Sequence, residues 1–145
     1  MKKVAIFLLI VIAIISTISY LYLNYVVVNK NAQKENAKFE LYINQEISGS
    51  DLTTLINKAI DYNQQNELEK DNKGQYIDNQ DNSLNIDIKF LDNDSTYNMQ
   101  KIYTGGMDTF YSYYKDIKFK CNEVQYHKST GKVKYMLFEQ ITQWN

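Results

Sequence analysis

The feature that most constrains this 145-residue chain is an uncharged, mostly apolar run from Val4 to Val28, preceded by Lys2 and Lys3. An apolar stretch of about 18 residues or more is typical of a membrane-spanning helix. As a helix the run would be roughly 38 Å long at its usual rise per residue. That length exceeds the hydrocarbon core of about 30 Å and leaves room for tilt. The sequence therefore predicts a transmembrane helix over residues 4–28.

The charges at the N-terminal end predict the orientation of this helix. Lysines just before a first span favour retention of that end in the cytoplasm, so residues 1–3 are expected inside and the remainder outside. Tyr20, Tyr22 and Tyr25 lie in the C-terminal third of the run. Because tyrosine favours the membrane interface, we expect the outer boundary between Tyr22 and Val28.

A cleaved signal peptide is the alternative interpretation of the same run. Its apolar region would be shorter and would end in small residues of an A-x-A-like pattern. The nearest approach, Thr17-Ile18-Ser19, is a poor cleavage site, and the apolar run continues past it. A lipoprotein signal peptide is excluded because Cys121 lies far from the N-terminus. The sequence favours an uncleaved signal-anchor, with secretion after cleavage as the alternative.

The composition of the remaining residues, about 115 of them, fits one small domain. From residue 31 onward the chain contains 13 lysines and all 17 of its acidic residues, which gives this part a formal charge of −4. A mildly acidic domain with dispersed lysines is a poor candidate for binding nucleic acid. The absence of arginine and proline resembles codon bias in an AT-rich genome, such as that of a low-GC Gram-positive bacterium. A single cysteine excludes an intrachain disulfide.

The best-specified element after the anchor is a helix from Ser50 to about Gln64. Ser50 is the expected N-cap, with Asp51 in the first turn. The apolar residues of this segment recur at helical spacing and form one stripe: Leu52, Leu55, Ile56, Ala59 and Ile60. Between the anchor and this helix, residues 29–38 either continue the membrane helix as a stalk or form a linker. Residues 39–43 then form a short strand or the end of that stalk.

A half-buried strand is predicted further along, because Leu84 to Phe90 alternate strictly between apolar and polar residues. The polar segment Tyr62–Ser83 before it is interpreted as a long exposed loop, with a possible short strand at Gln75–Ile77. Asp92–Ser95 ends the strand with turn-forming residues. Tyr97–Tyr103 is then interpreted as the returning strand of a hairpin.

The last third of the chain predicts a second helix and a final hairpin. Gly105-Gly106 is expected to end the preceding strand, and helical spacing follows over residues 107–117. Phe119–His127 and Lys132–Ile141 are the two hairpin strands, joined by a turn at Ser129–Gly131. We therefore expect an α+β domain over residues 39–145, with an antiparallel sheet and one or two packed helices.

Catalytic and metal-binding signatures are absent from the sequence. A thiol-imidazole pair would require Cys121 and His127, which stand roughly 20 Å apart if both lie on one strand. Cys121 is expected in the core and His127 on the surface at the hairpin end. One histidine and one cysteine cannot fill a zinc site. The acidic stretches Asp71–Asp81 and Asp92–Asp94 lack the calcium-loop pattern. No catalytic residue, metal or cofactor is predicted.

The most unusual composition outside the anchor is the tyrosine-rich stretch from Tyr103 to Phe119. Tyrosine is amphipathic and is ordered at low entropic cost, so it suits interfaces and sugar stacking. The alternative is that one side packs in the core, since regularly spaced aromatic residues usually mark a buried face. The candidate interaction surface comprises four tyrosines: Tyr103, Tyr111, Tyr113 and Tyr114.

Two resemblances follow from these segments. An N-terminal membrane helix that leads into a small α+β domain resembles type IV pilins and pseudopilins in architecture. The processing motif of these proteins has a glycine before the apolar segment and a glutamate shortly after that glycine. Neither residue is present here, because Lys3 runs straight into Val4. Phe39-x-x-Tyr42 followed by the segment Ile47–Asn57 is similar to uncharacterised single-pass membrane-anchored proteins of Gram-positive bacteria. Neither resemblance implies an activity.

The sequence thus leads to two functional hypotheses for a non-enzymatic protein. The first is a single-pass protein whose extracytoplasmic domain is an interaction or structural component of a cell-envelope assembly. Its partners would be the lipid bilayer and other envelope proteins. The second is a surface module that binds glycan or peptide through the tyrosine-rich face.

Overall fold

The computed structural model of the chain describes residues 2–91 and 95–142, and within them the fold is α+β. A long apolar helix is followed by a mixed five-stranded sheet and two further helices. In chain order the elements are α1 (Lys2–Glu40), β1 (Glu46–Ser48), α2 (Gly49–Gln65), β2 (Asn85–Lys89), β3 (Thr96–Asn98), α3 (Met99–Tyr114), β4 (Lys118–Tyr126) and β5 (Val133–Gln140).

Helix α1 is continuous over 39 residues, so residues 29–38 extend the apolar helix and do not form a linker. Phe39 belongs to the last turn of α1. Of the two alternatives for this position, the structure therefore supports the end of the stalk and not a short strand. An 18-residue window of α1 has a mean hydropathy of 2.8, and none of it is buried against the rest of the chain. This helix is compatible in length and composition with a membrane span or a signal sequence.

The last turns of α1 pack against the domain through Ala32, Asn36 and Phe39. The Asn36 side chain bridges the β4–β5 turn: Nδ2 donates to the Gly131 carbonyl at 2.9 Å, and Oδ1 accepts from the Val133 amide at 2.8 Å. The ring of Phe39 meets that of Tyr62 edge to face, with centroids 5.7 Å apart. The C-terminal end of α1 is therefore fixed to the domain by hydrogen bonds as well as by apolar contact.

The strand order in the sheet is β1-β4-β5-β2-β3. All neighbouring pairs are antiparallel except β2 and β5, which are parallel. The prediction of an antiparallel sheet is therefore wrong at this pair. Parallel strands need a long crossover, and here β3, α3 and β4 provide it. Hairpin signals in a sequence report only pairs that are adjacent in the chain, so the central parallel pairing left no local trace.

The core lies between α2, α3 and one face of the sheet. The predicted stripe of α2 is at most 2% exposed throughout, which confirms it. Ile86 and Ile88 of β2 are fully buried while Asp87 faces outward, so the predicted half-buried strand is also confirmed. The predicted final hairpin forms as well, and Gly131 adopts the left-handed conformation at φ 70° that its turn requires. Cys121 is a buried core residue, as predicted.

The N-cap of α2 is Ser48, which corrects the prediction of Ser50. The Ser48 hydroxyl accepts from the Asp51 amide at 3.1 Å, and an Asp51 carboxylate oxygen accepts from the Ser48 amide at 3.1 Å. This reciprocal capping box requires the serine three residues before the acid, and Ser50 is too close to Asp51 for that role. The Ser48 hydroxyl also donates to an Asp51 carboxylate oxygen at 2.7 Å, and this bond, together with the one from the Ser48 amide, lowers the pKa of Asp51 below its usual 3.8.

We expect Ser48→Ala to reduce the free energy of unfolding by about 1 kcal/mol, because an amide at the start of α2 loses its partner. Ser50→Ala is the matched control and should change stability much less. Because folding lowers the pKa of Asp51, its contribution is complete well above pH 3.8 and is lost as the pH falls through the folded-state value. Chemical unfolding at pH 7 and pH 3 measures both effects. Equal losses in the two variants would contradict this cap.

Several further predictions are corrected in the middle of the chain. The strand predicted at Tyr97–Tyr103 is confined to β3, because Asn98 caps α3 by accepting from the Gln100 amide at 2.9 Å. Gly105-Gly106 lies inside α3, where it produces a kink in place of a strand end. In the Tyr62–Ser83 segment, α2 continues to Gln65, and residues 75–77 contribute only an isolated bridge. Of the turn predicted at Asp92–Ser95, residues 92–94 lie outside the described residues.

Candidate interaction surface

The four tyrosines of the predicted interaction surface all belong to α3. Tyr103, Tyr111 and Tyr113 are exposed, at 43%, 44% and 61%, and Tyr114 is half-buried. The helix that carries them is not straight, because Gly106 adopts φ 110° and ψ 105°. Such a positive φ is easy for glycine and costly for other residues. The kink therefore depends on glycine at this position.

A groove of about 300 Å³ opens beside this kink, between α3 and the ends of β2 and β3. Half of its lining residues are aromatic, and the lining comprises Phe90, Tyr97, Lys101, Ile102, Gly105, Gly106, Thr109, Phe110, Tyr113 and Tyr114. The two glycines lack side chains, so they leave space where a regular helix would present side chains. The aromatic side chains of the groove therefore lie next to the backbone of the two glycines.

The floor of the groove is a cluster of packed rings. Phe90 lies 4.8 Å from Tyr114 and 5.6 Å from Tyr97, measured between ring centroids. Phe110 stacks on Tyr114 at 5.0 Å. At the rim, the Lys101 ammonium lies 4.3 Å from the centroid of the Tyr97 ring, a cation–π contact. Fixed ring faces beside one cation suit a ligand with an apolar face and polar or anionic edges.

The groove divides the predicted tyrosines into two pairs. Tyr113 and Tyr114 line it, whereas Tyr103 and Tyr111 lie on α3 outside the lining. Sequence reasoning missed Tyr97 and Lys101, which were assigned to a strand with no site role. The signal that marks this place in the sequence is Gly105-Gly106, a pair of glycines inside an aromatic segment. It was interpreted as a strand end.

Cys121 and His127 do not form a reactive pair. Burial raises the pKa of the Cys121 thiol, and its sulfur donates to the Glu123 carbonyl. The prediction of a surface His127 is wrong, since this side chain is only 3% exposed. Its Nε2 lies 2.7 Å from the Ser83 carbonyl oxygen and must donate to it. The imidazole thus joins the β4–β5 turn to the loop before β2, a contact between distant segments with no local signal.

Polar groups of the acidic stretch and of the start of α2 are engaged in hydrogen bonds within the chain. In the Asp71–Asp81 stretch, Asp71 Oδ1 accepts from the Lys73 and Gln75 amides at 2.8 Å each, as in a tight turn. At the start of α2, the Gly49 amide donates to the Ile117 carbonyl at 2.8 Å. Over residues 2–91 and 95–142, no group of three or more His, Cys, Asp or Glu side chains is arranged to hold a metal ion.

Comparison of the chain with protein-family models, curated proteins and solved structures found no significant match.

Proposed function

We propose that this protein is a single-pass membrane protein that displays its α+β domain outside the cytoplasmic membrane as a component of a cell-envelope assembly. Its role is interaction or structure, without enzymatic activity. One observation carries the proposal: no residue in the apolar window of α1 is buried against the rest of the chain, while the last turns of the same helix are fixed to the domain through Asn36 and Phe39. Such a helix holds the domain in a defined orientation at the bilayer.

We term the attachment of the domain to the continuous helix α1 a rigid mount. Such an attachment distinguishes an assembly component from a module on a flexible tether. A flexible linker lets a domain search a wide volume, whereas a continuous helix fixes its height and direction. The large apolar side chains of α1 from Val4 to Val28 form an extended exposed apolar surface, whose contact with water is unfavourable. Lys2 and Lys3 before this apolar segment favour an N-inside orientation.

Protease accessibility of the full chain tests the topology. In intact protoplasts, we expect external protease to remove a C-terminal tag, and we expect the mass of the untreated chain to match an uncleaved N-terminus. The protein should stay with membranes after alkaline carbonate extraction. A shorter chain in the medium would instead show secretion after cleavage. Protection of the tag would contradict the N-inside orientation.

Cross-linking in living cells followed by purification in mild detergent tests the assembly role. We expect discrete cross-linked species that contain a second envelope protein or further copies of this chain. Recovery of only the uncross-linked monomer, from cells in which the topology test succeeds, would count against an assembly component while leaving the anchor intact.

The second candidate is a module that binds glycan or peptide through the aromatic groove. The observation that favours it is the ring-lined groove at the Gly106 kink, with Tyr113 61% exposed at its wall. Stacking on tyrosine rings suits the apolar faces of sugars and peptide side chains.

Tyr113→Ala and Tyr111→Ala form a matched pair, because both are exposed tyrosines of α3 and only Tyr113 lines the groove. If the groove binds cell-wall fragments, Tyr113→Ala should weaken binding about tenfold or more, the scale of a truncated aromatic contact. Tyr111→Ala should change binding little. Pull-down of the full chain with purified cell wall and short peptides measures this. Equal binding by both variants and the unsubstituted chain would remove this candidate.

A further inference from the structure

The end of the domain that carries the β4–β5 turn is fixed beside the point where α1 leaves its apolar segment. Gly131 in this turn accepts from Asn36, and a Cβ added to Gly131 would lie 3.9 Å from that of Ala32. Ala32 is four residues beyond Val28, or about 6 Å along the helix axis. The head-group zone of each leaflet is also roughly 5–7 Å thick. A membrane-spanning α1 therefore places this turn at head-group depth.

Four lysines lie within a few residues of Ala32 or of Gly131 in the chain and define what we term the basal end: Lys30, Lys34, Lys128 and Lys132. The first two lie on α1 within one turn of Ala32, and the other two flank the β4–β5 turn. Three are exposed and Lys132 is half-buried. Among the described residues none of the four forms an ion pair, whereas the nearby Lys134 pairs with Asp78 at 3.5 Å.

Acidic groups near the basal end are few. Thr130 of the turn donates to the Asp81 carbonyl, which brings the exposed Asp81 carboxylate to the same end. Glu35 on α1 is already paired with Lys38 at 2.7 Å. From residue 31 onward, the rest of the chain carries ten lysines against sixteen acidic residues. The basal end is thus positive and the remainder of the exported part is negative.

We propose that the basal end binds the phosphate groups of anionic phospholipids in the outer leaflet. This inference rests on the proposed insertion of α1, which brings the four lysines within a Debye length of those phosphates. Lipid phosphates are the anions already present at that depth. Attraction at the basal end and repulsion of the acidic remainder act in the same direction, so both hold the domain upright on the bilayer.

Energy transfer in reconstituted vesicles tests this lipid preference. The full chain with Cys121→Ala and Gln125→Cys carries a donor dye near the turn. The vesicles contain phosphatidylcholine and phosphatidylglycerol in fixed proportion, with an acyl-chain acceptor on one lipid or the other. We expect about twofold higher transfer to phosphatidylglycerol at low salt, with loss of the difference in 0.5 M salt, since exposed charges are screened.

Charge-neutralised variants supply the matched comparison. Substitution of all four lysines of the basal end by glutamine should abolish the preference for phosphatidylglycerol. Lys115→Gln with Lys120→Gln removes two exposed lysines near the opposite end of β4 and should leave it unchanged. Equal transfer to both lipids, or a preference that persists in the first variant, would overturn the inference. Failure of the chain to float with vesicles would instead contradict insertion of α1, and the lipid inference with it.

Discussion

Gly49→Ala is expected to lower the free energy of unfolding by about 3 kcal/mol, which is a large share of the stability of a small domain. A Cβ at Gly49 would fall 1.9 Å from the carbonyl oxygen of Tyr114 and 2.5 Å from its carbon. Both are backbone atoms, so no side chain can move aside. The start of α2 and the end of α3 would have to separate. That separation would break the hydrogen bond from the Gly49 amide to Ile117, now 2.8 Å.

Gly105→Ala is the matched control, because this helical glycine has no atom within 4 Å of an added Cβ. Alanine is the better helix former, so the change should raise stability by about 0.5–1 kcal/mol. Denaturant unfolding of the full chain in mild detergent, followed by the near-ultraviolet circular dichroism of its tyrosines, compares the two. A Gly49→Ala protein as stable as the unsubstituted chain would contradict the close approach of α2 and α3.

The role of Gly49 also shows where sequence reasoning stops. Local periodicity predicted α2 and β2, and the turn at Gly131 was predicted from its residue types, because each signal lies within the element itself. The sequence prediction assigns no role to Gly49. Its close contact with Tyr114 joins residues far apart in the chain, and no local pattern reports it. The parallel pairing of β2 with β5 escaped prediction for the same reason.

The same limit applies to the candidate interaction surface, because only some of its residues could be predicted from the sequence. Composition alone drew attention to Tyr113 and Tyr114, which line the groove. The opposite wall comes from Tyr97, on another element, and its cation from Lys101. A groove exists only once these segments are folded together, so its full lining could not be read from one stretch of sequence. The glycine pair before Met107 was the available signal, and it favours a helix kink as well as a strand end.

Asn36→Ala is expected to loosen α1 from the domain while leaving the apolar segment unchanged. The substitution removes the two hydrogen bonds that Asn36 makes to the β4–β5 turn, so the buried Val133 amide loses its Asn36 acceptor. An unsatisfied buried group costs about 1–3 kcal/mol, and here a donor and an acceptor are affected together. Exchange of the Val133 amide hydrogen should accelerate roughly a hundredfold, which corresponds to about 3 kcal/mol of local opening.

Asn31→Ala is the control for this substitution, because Asn31 is an exposed asparagine on the same helix. Hydrogen exchange of both variants in the same detergent compares them directly. If the rigid mount underlies the assembly role, Asn36→Ala should reduce cross-linking to partners without releasing the protein from membranes. Fast exchange with unchanged cross-linking would show that orientation of the domain is not needed for assembly. Unchanged protection at Val133 would contradict the docking of α1 itself, because that amide donates to Asn36 Oδ1 at 2.8 Å.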